Sequence, residues 1–394
     1  MRVVYSYPMR IGAGRTCYTA WQQVSGLVAA GVDVTVFPGS VFRPLPPEAR
    51  VVPTLSRGRW RVPYRTVGHM RALALHDRIV ARRLTSLAGQ VDVVHAWPQA
   101  ALQTLRAARG LGIAAVLERP NAHTRFAFEA VRAESERIGV PLPPGGEHAY
   151  DEAVLRREEA EFQAADALLC PSEFVVKTFR DQGHADSQLV RHIYGYDEQT
   201  FSPSHEPRAP GPLRVIFVGY AAVRKGLHIA LDAWLRSPAS REGGTFLIAG
   251  DILPAYADKL AGQLAHPSVQ ALGHRTDVAE LVRGSDALVL PSVEEGFGLV
   301  CAEAIGAGCV PLVSDACTDI CRHGENALVH RVGDVAALEE HLSSLHRDPA
   351  LLARLRSECL RGAPEVTWTA AGERLVEAYE VTLARRSSAV AAAA

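Results

Sequence analysis

The sequence has no apolar segment long enough to cross a membrane. None of its hydrophobic runs approaches the ~20 residues that a membrane-spanning helix needs. Its first residues, Met1-Arg2-Val3-Val4-Tyr5, also lack the apolar core and the small-residue cleavage site of a secretory signal. These two absences predict a cytoplasmic protein.

Cysteine is scarce, and its distribution excludes two classes of protein. Seven cysteines in 394 residues are too few for a disulfide scaffold. Cys317 and Cys321 have no second pair of metal ligands, so no metal site is predicted there. With 22% charged and 48% hydrophobic residues, the chain is neither disordered, collagen-like nor a coiled coil. At ~100–200 residues per domain, its length indicates about two domains.

The near-neutral total hides an uneven distribution of charge. The formal net charge is −1, yet residues 1–110 contain 15 Arg and only 4 acidic residues, a net charge of +11, so the remainder carries −12. Only 3 of the 42 basic residues are lysine. A GC-rich genome explains this preference for Arg but not the scarcity of acids in the first stretch. The basic stretch therefore indicates an anionic partner.

Short apolar runs rich in Val, Ile and Leu alternate with segments of helical periodicity. Such alternation is typical of βα units, and runs without polar interruption indicate parallel strands covered on both faces. The predicted strands span residues 2–8, 32–37, 92–97, 113–118, 167–171 and 189–194, then 213–218, 245–249, 269–272, 287–290 and 310–313. The sequence thus predicts an α/β protein with two consecutive parallel sheets.

Proline and serine mark a linker between the two sets of strands. Residues 202–212 contain four prolines, which exclude a helix or a central strand. The predicted domains are therefore residues 1–205 and 206–367. A second proline- and glycine-rich loop, residues 140–146, lies inside the first domain, before a charged helix over about 149–164. Apolar residues at helical spacing predict a terminal amphipathic helix over 368–384.

The strongest chemical signal follows the predicted strand at residues 287–290. A glycine-rich turn, Glu295-Gly296-Phe297-Gly298, leads into a helix that starts at Leu299. Unpaired amides and the helix dipole converge at such a turn, which therefore suits a phosphate. Glu303 follows Glu295 after seven intervening residues, and carboxylates beside a phosphate site are suited to sugar hydroxyls. The alternative is a dipole role for Glu295 and a solvated position for Glu303.

The stretch E-G-F-G-L-V-C-A-E-A-I-G-A-G-C-V-P-L-V, residues 295–313, resembles the retaining GT-B glycosyltransferases of family GT4. Phe217-Val218-Gly219, followed by Arg224-Lys225-Gly226, resembles the strand and loop that deliver Arg and Lys to the donor diphosphate in that family. A guanidinium and an ammonium at a glycine-flanked turn suit a leaving phosphate. Leu272-Gly273-His274-Arg275 resembles the family's loop that contacts the nucleotide base.

Signals in the first domain are weaker. Arg10-Ile11-Gly12-Ala13-Gly14-Arg15 follows the first strand but lacks the further glycine of a dinucleotide fingerprint, which disfavours a nicotinamide site. The resemblance implies that Gly12 and Gly14 face the donor phosphate and that Arg15 helps to position the acceptor; a plain tight turn is the alternative. Glu118-Arg119-Pro120-Asn121-Ala122-His123 resembles a subset of the family and assigns its sugar-contacting histidine to His123. His95, at another strand end, is the second candidate.

The resemblance implies two Rossmann-like domains that face each other across a cleft, with a terminal helix, residues 368–394, packed back on the first domain. The first domain would hold the acceptor and the second the nucleotide sugar. The implied reaction moves a hexosyl unit from a UDP- or GDP-sugar to an acceptor hydroxyl with retention of configuration and without metal or other cofactor. The implied catalytic residues are His123, Arg224, Lys225 and Glu295. The implied donor-binding residues are Gly12, Gly14, Gly219, His274, Arg275, Gly296, Phe297, Gly298, Leu299 and Glu303.

The acceptor stays open between a glycan, a lipid-linked molecule and a small aglycone. A retaining disaccharide phosphorylase and a non-catalytic sugar-binding protein are the alternative functions, and the four charged residues Arg224, Lys225, Glu295 and Glu303 together argue against the second. Residues 57–65 interleave aromatic side chains with arginines, which suits the inner face of an anionic membrane or a phosphorylated acceptor. Nucleic acid is not expected as a partner, because no nucleic-acid-binding fold accompanies this segment.

The charge distribution predicts a specific response to salt. If the arginines of residues 1–110 serve the acceptor or a membrane surface, raising NaCl from 50 to 500 mM weakens vesicle binding or acceptor use more than nucleotide binding. The measurement is flotation with anionic vesicles beside nucleotide titration at each salt concentration. If salt weakened nucleotide binding as much as vesicle binding or acceptor use, genome composition alone would explain the excess of arginine.

Overall fold

The computed structural model of the chain contains two parallel β-sheets with helices on both faces of each. It describes residues 1–14, 16–146, 148–204 and 211–393. Arg15 and the predicted domain boundary at residues 205 and 206 lie outside the described residues. No helix within those described ranges combines the length and the apolar character needed to cross a bilayer.

The N-terminal sheet has seven strands. These are β1 (Arg2–Ile11), β2 (Asp33–Val41) and β3 (Arg50–Val51), then, after the hairpin of β4 (Ser56–Arg57) and β5 (Trp60–Arg61), β6 (Val93–Ala96), β7 (Ala114–Glu118), β8 (Ala167–Cys170) and β9 (Leu189–Arg191). Their order is β3-β2-β1-β6-β7-β8-β9, with parallel pairing throughout. The helices are α1 (Thr16–Ala29), α2 (Tyr64–Val67), α3 (His69–Thr85), α4 (Leu102–Gly110), α5 (Thr124–Ile138), α6 (Glu152–Ala164) and α7 (Glu173–Asp181).

The C-terminal sheet has six strands. These are β10 (Arg214–Val218), β11 (Thr245–Ala249), β12 (Val269–Gly273), β13 (Ala287–Leu290), β14 (Val310–Ser314) and β15 (Leu328–His330), in the order β12-β11-β10-β13-β14-β15. The helices are α8 (Leu227–Arg236), α9 (Pro254–Lys259), α10 (Ala261–Leu264), α11 (Val278–Arg283), α12 (Leu299–Ala307), α13 (Val335–Arg347), α14 (Pro349–Gly362) and α15 (Trp368–Ala393). Both sheets are doubly wound, which confirms the predicted fold class.

The eleven predicted strands are all present, and the differences lie at their ends. β1 and β2 continue to Ile11 and Val41, because their pairing resumes after an irregularity between Tyr7 and Arg10, beyond the prolines at which the predicted strands end. β3, β15 and the β4–β5 hairpin were not predicted, and their strands are only two or three residues long. So few residues carry no periodicity from which a strand could be predicted.

Each sheet reverses its strand order at one point, between β1 and β6 and between β10 and β13. In doubly wound sheets, ligands bind at the carboxyl ends of the strands beside such a reversal, because the loops diverge there and leave a crevice. The crevices of the two sheets form one interdomain site.

The terminal helix α15 packs against α1 of the N-terminal domain. A Cβ atom at Gly26 would lie 3.0 Å from the Gly372 Cα, so the two backbones approach closely. Leu375 and Tyr379 are buried in the core beneath β1. The chain enters α15 next to its first passage between the domains: the Tyr196 amide donates to the Val366 carbonyl oxygen at 3.1 Å.

This packing predicts that α15 stabilises the N-terminal domain. Leu375→Ala removes a side chain that is 1% exposed and leaves a cavity, so the free energy of unfolding of that domain falls by about 2–5 kcal/mol. The measurement is urea unfolding followed by circular dichroism, with Glu373→Ala on the exposed face as the matched control. An equal effect of the two substitutions would show that α15 does not stabilise the core.

Candidate functional site

A loop of the C-terminal domain, residues 291–298, connects β13 to α12. It carries two adjacent buried carboxylates, Glu294 and Glu295. The loop ends at Gly298, whose φ of 69° is a left-handed conformation that favours glycine at the start of a helix. The unpaired amides of the first turn of α12 give this end of the helix an affinity for anions.

The loop contacts the N-terminal domain directly. A Cβ atom at Gly296 would lie 1.6 Å from the Pro120 carbonyl oxygen, so no larger residue fits there. The Ser172 hydroxyl donates to the Gly296 carbonyl oxygen at 2.7 Å, and the Ala122 amide donates to Glu294 Oε1 at 3.1 Å. The position of residues 291–298 therefore depends on both domains.

An interdomain cavity of about 580 Å³ lies beside this contact, at the carboxyl ends of both sheets. Its N-terminal wall is formed by Thr16, Thr19, Trp97, Pro120, Asn121 and Tyr194. The predicted site residues that line it are Gly219, Arg224, Lys225, Glu295, Phe297, Gly298, Leu299 and Glu303. The structure thus brings together eight of the predicted residues in one space of ligand size.

Glu295 forms an ion cluster with two cations in the wall of the interdomain cavity. Lys225 Nζ donates to Glu295 Oε2, and Arg224 Nη1 lies 3.5 Å from the same oxygen. Burial alone would raise the pKa of the Glu295 carboxyl, but the charges of Lys225 and Arg224 outweigh it and lower the pKa to about 2. Glu295 is therefore ionised at every physiological pH.

Arg224 and Lys225 are held by a single helical turn, Val223–Lys225, between β10 and α8. The Val293 amide donates to the Arg224 carbonyl oxygen at 2.7 Å, which fixes this turn against residues 291–298. Arg224 is only 8% exposed. The two cations are therefore positioned beside the start of α12 by the backbone of the C-terminal domain itself.

Glu303 lies one turn into α12 and differs electrostatically from Glu295. No cation among the described residues pairs with its carboxylate, and burial raises its pKa to about 7. Glu303 lines the interdomain cavity and also a neighbouring cavity of about 310 Å³. Gly12 and Gly14 line the second cavity, so the predicted glycine loop does lie opposite α12.

The structure does not bring His123 into the interdomain cavity, which corrects the prediction of a sugar-contacting histidine. His123 caps the start of α5, and its ring packs 4.9 Å from the Phe179 ring and 5.1 Å from the Phe162 ring, centre to centre. Burial, together with the Arg119 charge, lowers its pKa to about 3. The ring thus packs among Phe162 of α6, Phe179 of α7 and His184, whereas Pro120 and Asn121 of the same loop line the cavity.

His95 also belongs to the interior, which corrects its prediction as an acceptor residue. It is fully buried, with Nδ1 2.7 Å from the Tyr379 hydroxyl and Nε2 3.3 Å from Glu118 Oε2. Glu118 further accepts hydrogen bonds from Tyr194 and Gln23. This polar network joins α15 to the N-terminal sheet and leaves His95 no access to a ligand.

His274 and Arg275 follow β12 and are exposed, outside the residues that line the interdomain cavity. The Arg275 guanidinium pairs with Asp277 in the same loop. The pair lies at the edge strand of the C-terminal sheet. The predicted contact of His274 and Arg275 with the nucleotide base therefore stays a prediction.

Glu294 is a site residue that the sequence did not predict. Its carboxylate lies 3.6 Å from Arg224 Nη1 and 3.4 Å from His148 Nε2, and it accepts the hydrogen bond from Ala122. Glu294 thus connects the cationic turn of one domain with two loops of the other. A glutamate beside a more conspicuous one gives no separate sequence signal, because its partners lie at least 70 residues away along the chain.

Three residues of the N-terminal wall, Trp97, Asn121 and Tyr194, were also missed. Each lies within three residues of the end of a parallel strand, β6, β7 or β9. That position is a usable signal, since the carboxyl ends of parallel strands meet at the ligand-binding edge of the sheet.

The geometry agrees with comparisons to known proteins. The sequence profile described as "Glycosyltransferase Family 4" matches residues 18–195, and the profile "Glycosyl transferases group 1" matches residues 212–348. The chain is 28% identical to a D-inositol 3-phosphate glycosyltransferase of Mycobacterium sp. (strain JLS) over 373 residues, which cover 86% of this chain and 79% of the relative. It is also 28% identical to a glycogen synthase of Mycobacterium tuberculosis (strain CDC 1551 / Oshkosh) over 59% of this chain and 56% of the relative.

Solved structures show the same fold over almost the whole chain. A sucrose-phosphate synthase from Thermosynechococcus elongatus matches with a TM-score of 0.70 at 18% identity, covering 97% of this chain and 99% of the other. Anabaena HepE in complex with UDP matches with a TM-score of 0.66 at 16% identity, covering 96% and 99%. Both domains are thus accounted for, and the chain belongs to family 4 of the group 1 glycosyltransferases, enzymes of the GT-B fold that use nucleotide sugars.

Proposed function

We propose that the protein transfers a hexosyl unit from a UDP- or GDP-sugar to an acceptor hydroxyl with retention of configuration and without a metal ion. One observation carries this proposal: Arg224, Lys225, Glu295 and the start of α12 converge on a single cavity between the domains. Two cations, an anion-binding helix end and a permanently ionised carboxylate are the groups that a sugar diphosphate requires.

The cations stabilise the leaving group. As the bond between the sugar carbon and the phosphate oxygen breaks, negative charge accumulates on the diphosphate, where Arg224, Lys225 and the amides of Gly298 and Leu299 receive it. Such preorganised donors in a water-poor site supply several kcal/mol of transition-state stabilisation. Lys225 then exchanges its partner Glu295 for the phosphate, and Glu295 accepts hydrogen bonds from the sugar hydroxyls and fixes their orientation.

The acceptor proton goes to the donor itself. Glu295 has a pKa of about 2 and is too weak a base, and the described lining of the interdomain cavity includes no histidine. Glu303, with a pKa of about 7, is engaged by the ribose in this proposal and is not available to the acceptor. The departing phosphate oxygen therefore takes the proton as the new bond between the acceptor oxygen and the sugar carbon forms. Attack and departure then occur on the same face of the sugar, which gives retention of configuration.

The nucleotide's ribose is assigned to Glu303. Its carboxylate faces the cavity without a cationic partner among the described residues, and burial raises its pKa to about 7. Two ribose hydroxyls that donate hydrogen bonds to the ionised form stabilise it and lower its pKa on binding.

We further propose that the β4–β5 hairpin contacts an anionic membrane. Trp60 is 80% exposed at its tip, and Arg57, Arg59 and Arg61 on the same hairpin are also exposed. An exposed aromatic ring among guanidinium groups suits the interface of an anionic membrane. This contact would bring a lipid-linked acceptor within reach of the N-terminal domain.

The diphosphate role of the cations is directly measurable. Wild-type protein binds UDP or GDP at least tenfold more tightly than the corresponding nucleoside, since each charge-assisted hydrogen bond contributes about 1.5–3 kcal/mol. The double substitution Arg224→Ala and Lys225→Ala removes this difference in a calorimetric titration. Arg236→Ala, an exposed arginine on α8, is the matched control. Equal binding of nucleoside and diphosphate by the wild type would refute the proposed function.

The ribose role of Glu303 predicts a pH dependence. The ionised carboxylate binds the ribose, so the affinity for a nucleotide sugar is highest above pH 7 and falls as the pH drops below the free pKa, by up to tenfold per unit. Titrations between pH 5.5 and 8.5 with a nucleotide sugar, whose diphosphate does not titrate in this range, measure it. Glu303→Gln weakens binding at pH 8.5 and removes the dependence. An unchanged profile in that variant would exclude Glu303 as the ribose ligand.

A further inference from the structure

A third cavity, of about 340 Å³ and distinct from the one lined by Gly12 and Gly14, lies in the N-terminal domain beside the interdomain cavity. This side cavity is lined by the described residues 145, 146, 148, 149 and 151 of the loop before α6, by the segments that follow β6 and β7, and by α5 and α6. Gln99, Arg119, His148 and Glu158 are among its lining residues. Pro120 and Asn121 line both cavities, so the two spaces adjoin at the turn that faces the donor cations.

Backbone strain concentrates in the side cavity. Gln99 with φ 67° and His148 with φ 59° are the two non-glycine residues with positive φ in the described ranges, and both line it. Such conformations are costly for residues with a side chain, and they persist where the surrounding structure imposes them, often at ligand sites. Gln99 is held by its amide, which donates to Glu161 Oε2 at 2.7 Å, and by its side chain, which donates to Glu158 Oε1 at 2.9 Å.

The side cavity offers no unpaired positive charge among its described lining residues, and it contains carboxylates. The buried Arg119 guanidinium pairs with Glu158 at 3.0 Å, and His148 lies 3.4 Å from Glu294. Asp151, which caps α6, adds a second carboxylate to the lining. A phosphorylated ligand would meet two carboxylates and one guanidinium that is already paired. Hydroxyl groups, in contrast, both donate to carboxylates and accept from amides.

We propose that the side cavity is the acceptor subsite and that it takes an uncharged, hydroxyl-rich ring such as a sugar or cyclitol. The inference rests on the proposed function, because the ring presents its hydroxyl past Asn121 to the sugar carbon in the interdomain cavity. The volume is near the lower end of the roughly 300–1,000 Å³ of small-molecule sites and suits a single ring. Gln99 and Glu158 serve the hydroxyls, and His148 with Glu294 connects the filled subsite to the donor loop.

The test titrates four probes into protein saturated with UDP: myo-inositol, methyl α-glucoside, myo-inositol 1-phosphate and glucose 6-phosphate. At least one uncharged ring binds tenfold or more tightly than its phosphorylated counterpart. Tighter binding of the phosphorylated rings, or binding of none of the four, overturns the inference.

Two variants place the binding in the side cavity. Ala149→Trp fills it and weakens ring binding at least tenfold, whereas Ala133→Trp, on the exposed face of α5, does not. Gln99→Leu keeps the volume of the side cavity but removes the side-chain amide, and it weakens ring binding to a similar extent. This variant keeps the test decisive if the tryptophan variant does not fold. Unchanged ring affinity in both cavity variants excludes this site. UDP binding is recorded separately: if UDP binds and no ring does, the proposed function survives and this inference fails.

Discussion

The ion cluster of Glu295 with Arg224 and Lys225 is the interaction on which the site depends. Three charges are removed from water at the junction of the domains, and they remain there because each has a partner. The glycine-rich turn, the helical turn that carries the cations and the contact with Pro120 all serve to hold this cluster. Since a buried cation without its carboxylate is costly, an incoming phosphate fits the same place by offering the cations a replacement anion.

Much of the fold and the donor side of the site follow from sequence, for different reasons. Strands covered on both faces are continuous apolar runs in the sequence, so β10, β11 and β13 can be predicted directly from it. Arg224, Lys225, Glu295 and Glu303 lie within two short segments whose spacing is fixed by one turn and one helix. The short spacing between these residues in the sequence is therefore enough to predict the donor side of the interdomain cavity.

The acceptor side does not follow in the same way. His123 lies in the right loop, but the direction of its ring depends on which residue of the turn after β7 faces the cavity, and Phe162 and Phe179 decide that from elsewhere in the chain. The partners of Glu294 and the positive φ of Gln99 and His148 likewise arise from long-range packing. Sequence patterns indicate local periodicity, whereas the direction of the His123 ring, the partners of Glu294 and these two φ angles depend on residues distant in the chain.

The chain passes between the domains beside Tyr196 and again beside Thr367, and the two passages are hydrogen-bonded to each other. Two covalent connections that lie side by side tie the domains together at one place. Tyr194, two residues before the first passage, packs against Phe297 with ring centres 5.4 Å apart. The segment that joins the domains is thus also part of the wall that faces the donor, so the covalent connection and the candidate site share one piece of the core.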